Sequence, residues 1–340
     1  MQVVITGGAG FLGVRLARSL LAKGSLSLAG ASPAPVTKLI LVDRANPPTD
    51  LLADARVTTV TGDLNALMAT ASGSFINAQT AIIFHLAAAV SGECEADFDL
   101  GMNSNFRATL GILEACRALQ TRPMLVFASS LAVFGYAPGL PNPPVIEDST
   151  LPTPQTSYGI QKYIGEQLVA DFTRKGFIKG RSARLMTVSV RPGKPNGAAS
   201  SFFSGMIREP LSGAKGACPV TPETEVALSP PSLTIKGIVR VAEATDAEFG
   251  PRLGLNLPAL TTTTGAMAEA LGKLAGKAGT DLVDWTPDDK IRAIVAGWPA
   301  RINAQRAAGL GLLPIASFDE IVREYVSDNP DAVKLPLRTQ

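Results

Sequence analysis

The chain has 340 residues, 46% hydrophobic and 18% charged, with a formal net charge of +2. That balance suits a globular protein with a large core, built as one large unit or two domains, and excludes a disordered chain. A near-neutral charge with no Lys/Arg-rich run offers no field for a polyanion, so nucleic acid is not an expected partner.

The opening MQVVITGG is a strand-like run with no basic, cleavable leader before it, which predicts a protein that is not secreted by the usual signal. Strand 3–6 runs into Gly7-Gly8-Ala9-Gly10-Phe11-Leu12-Gly13 and then a helical pattern over 14–22. Glycines there permit a tight turn and close approach to a pyrophosphate, and the helix N-terminus adds unpaired N–H groups and a positive dipole end. Residues 25–35, SLSLAGASPAP, read as a surface loop inserted before the second strand at 39–43. Asp43 ends that strand, where a carboxylate accepts from the adenosine ribose hydroxyls and repels a 2′-phosphate, which favours NAD over NADP. Arg44 beside it points the other way, because a guanidinium welcomes that phosphate.

After the third strand, 57–61, Asp63 has two readings: an acceptor for the adenine amino group, or a helix N-cap before Leu64. The fourth strand, 81–87, closes on His85-Leu86-Ala87-Ala88, whose small residues would let a cofactor lie against the backbone. His85 is the sole histidine and reads as a core residue bonded to the backbone, which argues against a Ser-His-Asp hydrolase and a His-rich metal centre. No metal site is expected. The apolar stretch 81–90 is about half the roughly 20 residues a bilayer span needs, so no membrane span is predicted. The three cysteines, Cys94, Cys116 and Cys218, fit neither a disulfide framework nor a zinc motif, which suggests a reducing cytoplasm.

Strand five, 124–128, leads to Ser129-Ser130 at the carboxyl end of a sheet, where doubly wound folds bind ligands. Tyr158 and Lys162 stand four apart near the start of a helical run over 157–174 and share one face. A hydride transfer from an alcohol needs a base for the hydroxyl proton, and an ammonium near the phenol would favour phenolate. Ser130 would hold the substrate oxygen against Tyr158, and Lys162 would also bond the nicotinamide ribose. Alternation of short apolar runs with amphipathic segments up to a last strand at 182–190 predicts βαβ units and a parallel sheet. Beyond 190, RPGKPNGAASS and a series of prolines predict a smaller, irregular substrate-binding region over 191–340, with segments returning to the first domain.

The set TGGAGFLG, HLAA, ASSLAVFG and YGIQK, in this order, resembles the extended short-chain dehydrogenase/reductase family, home of nucleotide-sugar epimerases and dehydratases. The resemblance implies an α/β, Rossmann-type doubly wound parallel sheet over 1–190, NAD as cofactor, and Ser130, Tyr158 and Lys162 as the catalytic set. It makes Asn105 the active-site asparagine and Gly7, Gly10, Phe11, Leu12, Gly13, Leu64, Leu86, Ala87, Ala88 and Ser129 cofactor contacts. It puts Pro192 at the nicotinamide end and implies a homodimer through helices 105–119 and 157–174. Family dehydratases carry an Asp-Glu pair where Leu131-Ala132 stand here, which disfavours dehydration. The stretch SVRPGKPNGAASSFFSGMIREPLSG looks closest to the branch that oxidises D-erythronate, a four-carbon sugar acid, at carbon 2. Arg191, Lys194 and Arg208 in it are candidates for a carboxylate, and Ser200 and Ser201 for sugar hydroxyls. The enzymatic alternative is a nucleotide-sugar epimerase with the same triad; the non-catalytic one is a dinucleotide sensor.

Overall fold

The computed structural model describes residues 1–70, 75–136, 139, 143–193 and 198–338. Its centre is a seven-stranded parallel sheet made of β1 (Gln2–Thr6), β2 (Lys38–Asp43), β3 (Val57–Thr61), β4 (Thr80–His85), β5 (Met124–Ser130), β6 (Lys179–Leu185) and β7 (Leu255–Asn256), in the spatial order 3-2-1-4-5-6-7. Chain order reverses between β1 and β4, and a doubly wound sheet binds its ligand at the carboxyl ends beside such a reversal.

Strand side chains alternate between faces, and the residues sort accordingly. Val3, Ile5, Leu39, Leu41, Ile82 and Phe84 face one helical layer, which includes Leu16 and Leu20 of α1 (Phe11–Lys23). Val4, Ile40, Val42, Ile83 and Phe127 face the other, built from α2 (Ala108–Leu119) and α3 (Ser157–Arg174). Both faces are covered, which is why these strands read as continuous apolar runs.

The last predicted strand, 182–190, is two strands. Its first part extends β6, and a break at Met186 lets Thr187–Val188 pair with Glu225–Ser229, which pairs in turn with Leu260–Thr263. The part after 190 is more regular than its prolines suggest. Pro230 caps α5 (Pro231–Glu243) and Pro231 takes its first turn, where a missing N–H costs nothing. Phe203, Met206, Met267, Leu271, Phe318 and Ile321 form a separate core there. Two pieces return to the first unit: β7 joins the main sheet, and Ile238 and Val241 of α5 sit in the β1 face's core.

The insertion at 25–35 is also more than a loop. Ser25–Leu26 pairs antiparallel with Ala34–Pro35, and Leu26 is fully buried, because its apolar alternation finds a place under α1 and α5.

Candidate active site

The carboxyl ends of β1 to β6 open onto a cleft of about 1430 Å3, larger than the roughly 300–1,000 Å3 of pockets for drug-sized ligands. Gly7, Gly10, Phe11, Leu12 and Gly13 line one end of it. Helix α1 starts there at Gly10 with no side-chain cap and no acidic residue in its first turn, so its leading N–H groups and dipole face the cleft uncompensated. A Cβ on Gly13 would lie 2.0 Å from the Gly7 carbonyl oxygen, so only glycine lets helix and turn close up this far. That cradle and the length of the cleft fit a dinucleotide.

Asp43 lines the cleft, and its carboxylate accepts from the backbone N–H groups of Ala9, Arg44 and Ala45 at 2.9, 2.7 and 3.3 Å. Arg44 donates to Asp63 at 2.6 Å, which turns its guanidinium onto a neighbouring carboxylate. Asp63 caps the short helix Leu64–Met68 through Asn65 and Ala66 N–H, so the N-cap reading describes its other oxygen. Arg44 and helix formation together hold its carboxyl below the ordinary range. Leu64, Leu86, Ala87 and Ala88 complete this wall.

His85 is buried, but its partners differ from the expected backbone. Nδ1 meets the Thr6 hydroxyl at 2.7 Å and Nε2 the Thr109 hydroxyl at 2.9 Å, because threonines on β1 and α2 flank the strand end. Burial, helped by the Lys162 charge, pushes its pKa down to about 3.

The three residues expected to be catalytic meet across β5 and α3. Thr156 caps α3 through Gly159 N–H, and a Cβ on Gly159 would stand 2.1 Å from the Ala132 carbonyl oxygen. That contact packs the start of α3 against the segment after β5, where the Ser130 hydroxyl acts to lower the phenol's pKa. Lys162 donates to the Ala128 carbonyl at 2.8 Å and lies 5.7 Å from the Tyr158 ring centre. All three side chains line the cleft. Burial lowers Lys162 to about 8. The expected depression of the phenol by the lysine does not occur in the protein alone. Burial instead raises Tyr158 to about 12, against the Ser130 hydrogen bond and the pull of Arg191.

Several other expectations change. Asn105 does not line the cleft; it is 3% exposed, accepts from Ala89 N–H at 2.8 Å and donates to Gln161 at 2.8 Å, so it braces the loop after β4 from behind. Ser129 does line the cleft, but its hydroxyl donates to Glu166 at 2.5 Å, since alternate strand residues face opposite ways. Pro192 lines a neighbouring cavity that shares Phe11 with the cleft. Lys194 lies outside the described residues. Arg208 is 6% exposed and is spent on the Arg191 carbonyl and on Glu209, so it does not reach the cleft. Arg191 and Ser200 do line it, with Nη2 of Arg191 donating to Ser200 Oγ at 2.7 Å.

Sequence reasoning missed Met186, Thr187 and Val188, although the rule that ligands sit past the strand ends pointed to the residues after β6. It also missed Ser91 and Glu93 beyond β4, and Lys290, Ile294 and Trp298. The last three come from the distant helix Asp289–Ala296 and the residues behind it, which no local pattern ties to β1.

The cleft joins a glycine turn on a helix start to Ser130, Tyr158 and Lys162, and the model of the NAD dependent epimerase/dehydratase family matches residues 3–225, which hold all of these. The chain belongs to that family. A D-erythronate dehydrogenase from Cupriavidus necator is 49% identical over 330 residues, covering 96% of this chain and 98% of that one. Another from Haemophilus influenzae is 39% identical, covering 96% and 99%. The crystal structure of a nucleoside-diphosphate-sugar epimerase from Agrobacterium tumefaciens matches with a TM-score of 0.88 at 37% identity, over 98% of this chain and 95% of that one. The protein is thus a nicotinamide-dinucleotide-dependent oxidoreductase that acts on a CH–OH group of a small molecule. Among the described residues no helix is long and apolar enough to cross a membrane.

Proposed function

We propose that the protein oxidises a small sugar acid with NAD, D-erythronate to 2-keto-D-erythronate, with Tyr158 as general base. The observation that carries this is the state of Arg191. Its guanidinium is half-buried in the cleft beside Tyr158, donates to the Val188 carbonyl at 3.1 Å and to Ser200, and pairs with no carboxylate among the described residues. A desolvated cation without a counter-charge is costly, and a substrate carboxylate supplies the missing charge through a bidentate, charge-assisted pair. The two D-erythronate dehydrogenases that match the full chain support the same substrate.

Bound along the glycine turn, NAD supplies the hydride acceptor. The chain's own residues do the rest. Arg191 holds the carboxylate, so the hydroxyl on the adjoining carbon falls toward Ser130 and Tyr158. Ser130 bonds that oxygen, and Tyr158, which would ionise once a cationic nicotinamide ring joins the Lys162 ammonium beside it, takes the proton as the phenolate. Lys162, held by the Ala128 carbonyl, keeps a cationic donor next to the phenol and toward the nicotinamide ribose. Asp43 at the end of β2, with Arg44 occupied by Asp63, supports NAD over NADP. A cytoplasmic homodimer through α2 and α3 completes the reading, and light scattering that gives a monomer at micromolar concentration refutes that part.

The test is NADH absorbance during incubation with NAD and a panel of aldonic acids. Steady NADH formation with D-erythronate is expected. Cofactor retained through purification, with activity only on nucleotide sugars, would establish an epimerase instead. Tyr158→Phe is expected to keep NAD binding and lose about 10²–10⁴-fold in turnover, the usual worth of a general base. Near-normal turnover removes Tyr158 from the mechanism.

A further inference from the structure

The segment that carries Arg191 is gripped from one side by α4 (Ser201–Leu211). Ser204 accepts the Arg191 N–H at 2.9 Å, and Arg208, one turn further on, donates Nη1 to the Arg191 carbonyl at 2.7 Å. Both amide groups of that residue are therefore tied to the same helix face, while Ser200, the N-cap residue of α4, holds the guanidinium itself. The charges are distributed unevenly. Arg208 pairs through Nη2 with Glu209 at 2.5 Å, whereas Arg191 has no ion pair among the described residues. Arg208 thus adds a like charge beside Arg191, and burial with this repulsion lowers the Arg191 pKa while Tyr158 opposes it.

From this arrangement, and resting on the sugar-acid reading above, we propose that Arg208 and Ser204 are positioning residues for carboxylate recognition. They fix the Arg191 backbone so that its guanidinium presents an unpaired edge to the substrate acid, and they do not touch the substrate. Arg191 pairs with no carboxylate among the described residues, so the charge it lacks has to arrive with the substrate. The selectivity is then for a hydroxy acid over a neutral polyol of the same length, and it is set by residues behind the pocket wall.

Arg208→Lys keeps a cation for Glu209 but loses the planar fork that reaches Glu209 and the Arg191 carbonyl together. The full-length enzyme is assayed with D-erythronate and with erythritol, its neutral analogue. In Arg208→Lys the KM for D-erythronate is expected to rise about tenfold, with kcat and NADH binding within about twofold of the parent, since a charge-assisted bond is worth that much. The slow rate with erythritol should not move, which a general loosening of the fold would not spare. Ser204→Ala removes one small acceptor and is the second variant, expected to raise the same KM by a few-fold, with melting curves checking that both variants are folded. In the double variant Arg191→Gln with Arg208→Lys, the second change should add nothing to the first, because Arg208 acts through Arg191.

Additive losses would show that Arg208 meets the substrate directly and overturn the positioning role. Wild-type KM for D-erythronate in both folded single variants would also overturn it, while leaving the dehydrogenase reading intact. A parent enzyme that forms no NADH with any aldonic acid sinks both.

Discussion

Glu166 lies one helical turn past Lys162, and the substitution Glu166→Gln isolates what a buried ion pair does for helix α3. Its carboxylate accepts from Arg184 at 2.9 and 2.7 Å and from Ser129 at 2.5 Å, with the two charged side chains 2% and 4% exposed. The amide keeps the shape of the carboxylate but leaves the Arg184 guanidinium buried without its charge, which costs about 3–5 kcal/mol. Unfolding entropy of about 2.1 cal/mol/K per residue over 340 residues turns that into a melting temperature lowered by about 4–7 °C. Thermal unfolding followed by circular dichroism reads the shift. Replacing both partners, Glu166→Met with Arg184→Met, leaves no orphaned charge and is expected to return most of the loss, since apolar isosteres of buried pairs are often neutral. A single variant that melts within about 1 °C of the parent would refute the reasoning, because a buried charge would then have been stranded at no cost.

His85 sets an acid limit on stability. Its folded pKa of about 3 lies below the ordinary 6.5, so the unfolded chain binds the extra proton across that window. Stability is then full above pH 6.5 and falls as pH drops toward 3, by up to about 5 kcal/mol from this group. Urea midpoints at pH 7, 5 and 4 should fall in that order, and His85→Gln should flatten the slope; an unchanged slope would assign it to other groups. At the cofactor end, Gly13→Ala puts a methyl 2.0 Å from the Gly7 carbonyl oxygen, which forces the turn and helix apart. NADH binding by fluorescence titration is expected to weaken at least about tenfold, equivalent to roughly 1.4 kcal/mol, and an unaltered affinity would mean the turn does not hold the pyrophosphate.

The parallel sheet's first five strands and the glycine turn were legible because their signals are local: apolar runs of strand length, and a turn whose glycines, strand and helix are contiguous in sequence; the split at Met186 and the returning strand β7 were not, because both depend on pairing with distant segments. Tyr158 and Lys162 were readable for the same reason, since a spacing of four residues puts both on one helix face. Ser130 followed from its place at a strand end. Tertiary structure decided the rest, because side-chain direction and partner choice depend on residues far apart in the chain. Only the packing of α4 under residue 191 shows that Arg191 faces the cleft while Arg208 is spent behind it, though both looked equally able to bind an acid. Asn105 and Ser129 were both assigned to the site by pattern, but the fold turns Asn105 to the Ala89 loop, while Ser129 lines the cleft with its hydroxyl committed to Glu166. The phenol's pKa is likewise a property of the assembled site: sequence identifies the neighbouring cation, whereas burial, which no spacing reveals, determines that Tyr158 rises to about 12 in the protein alone.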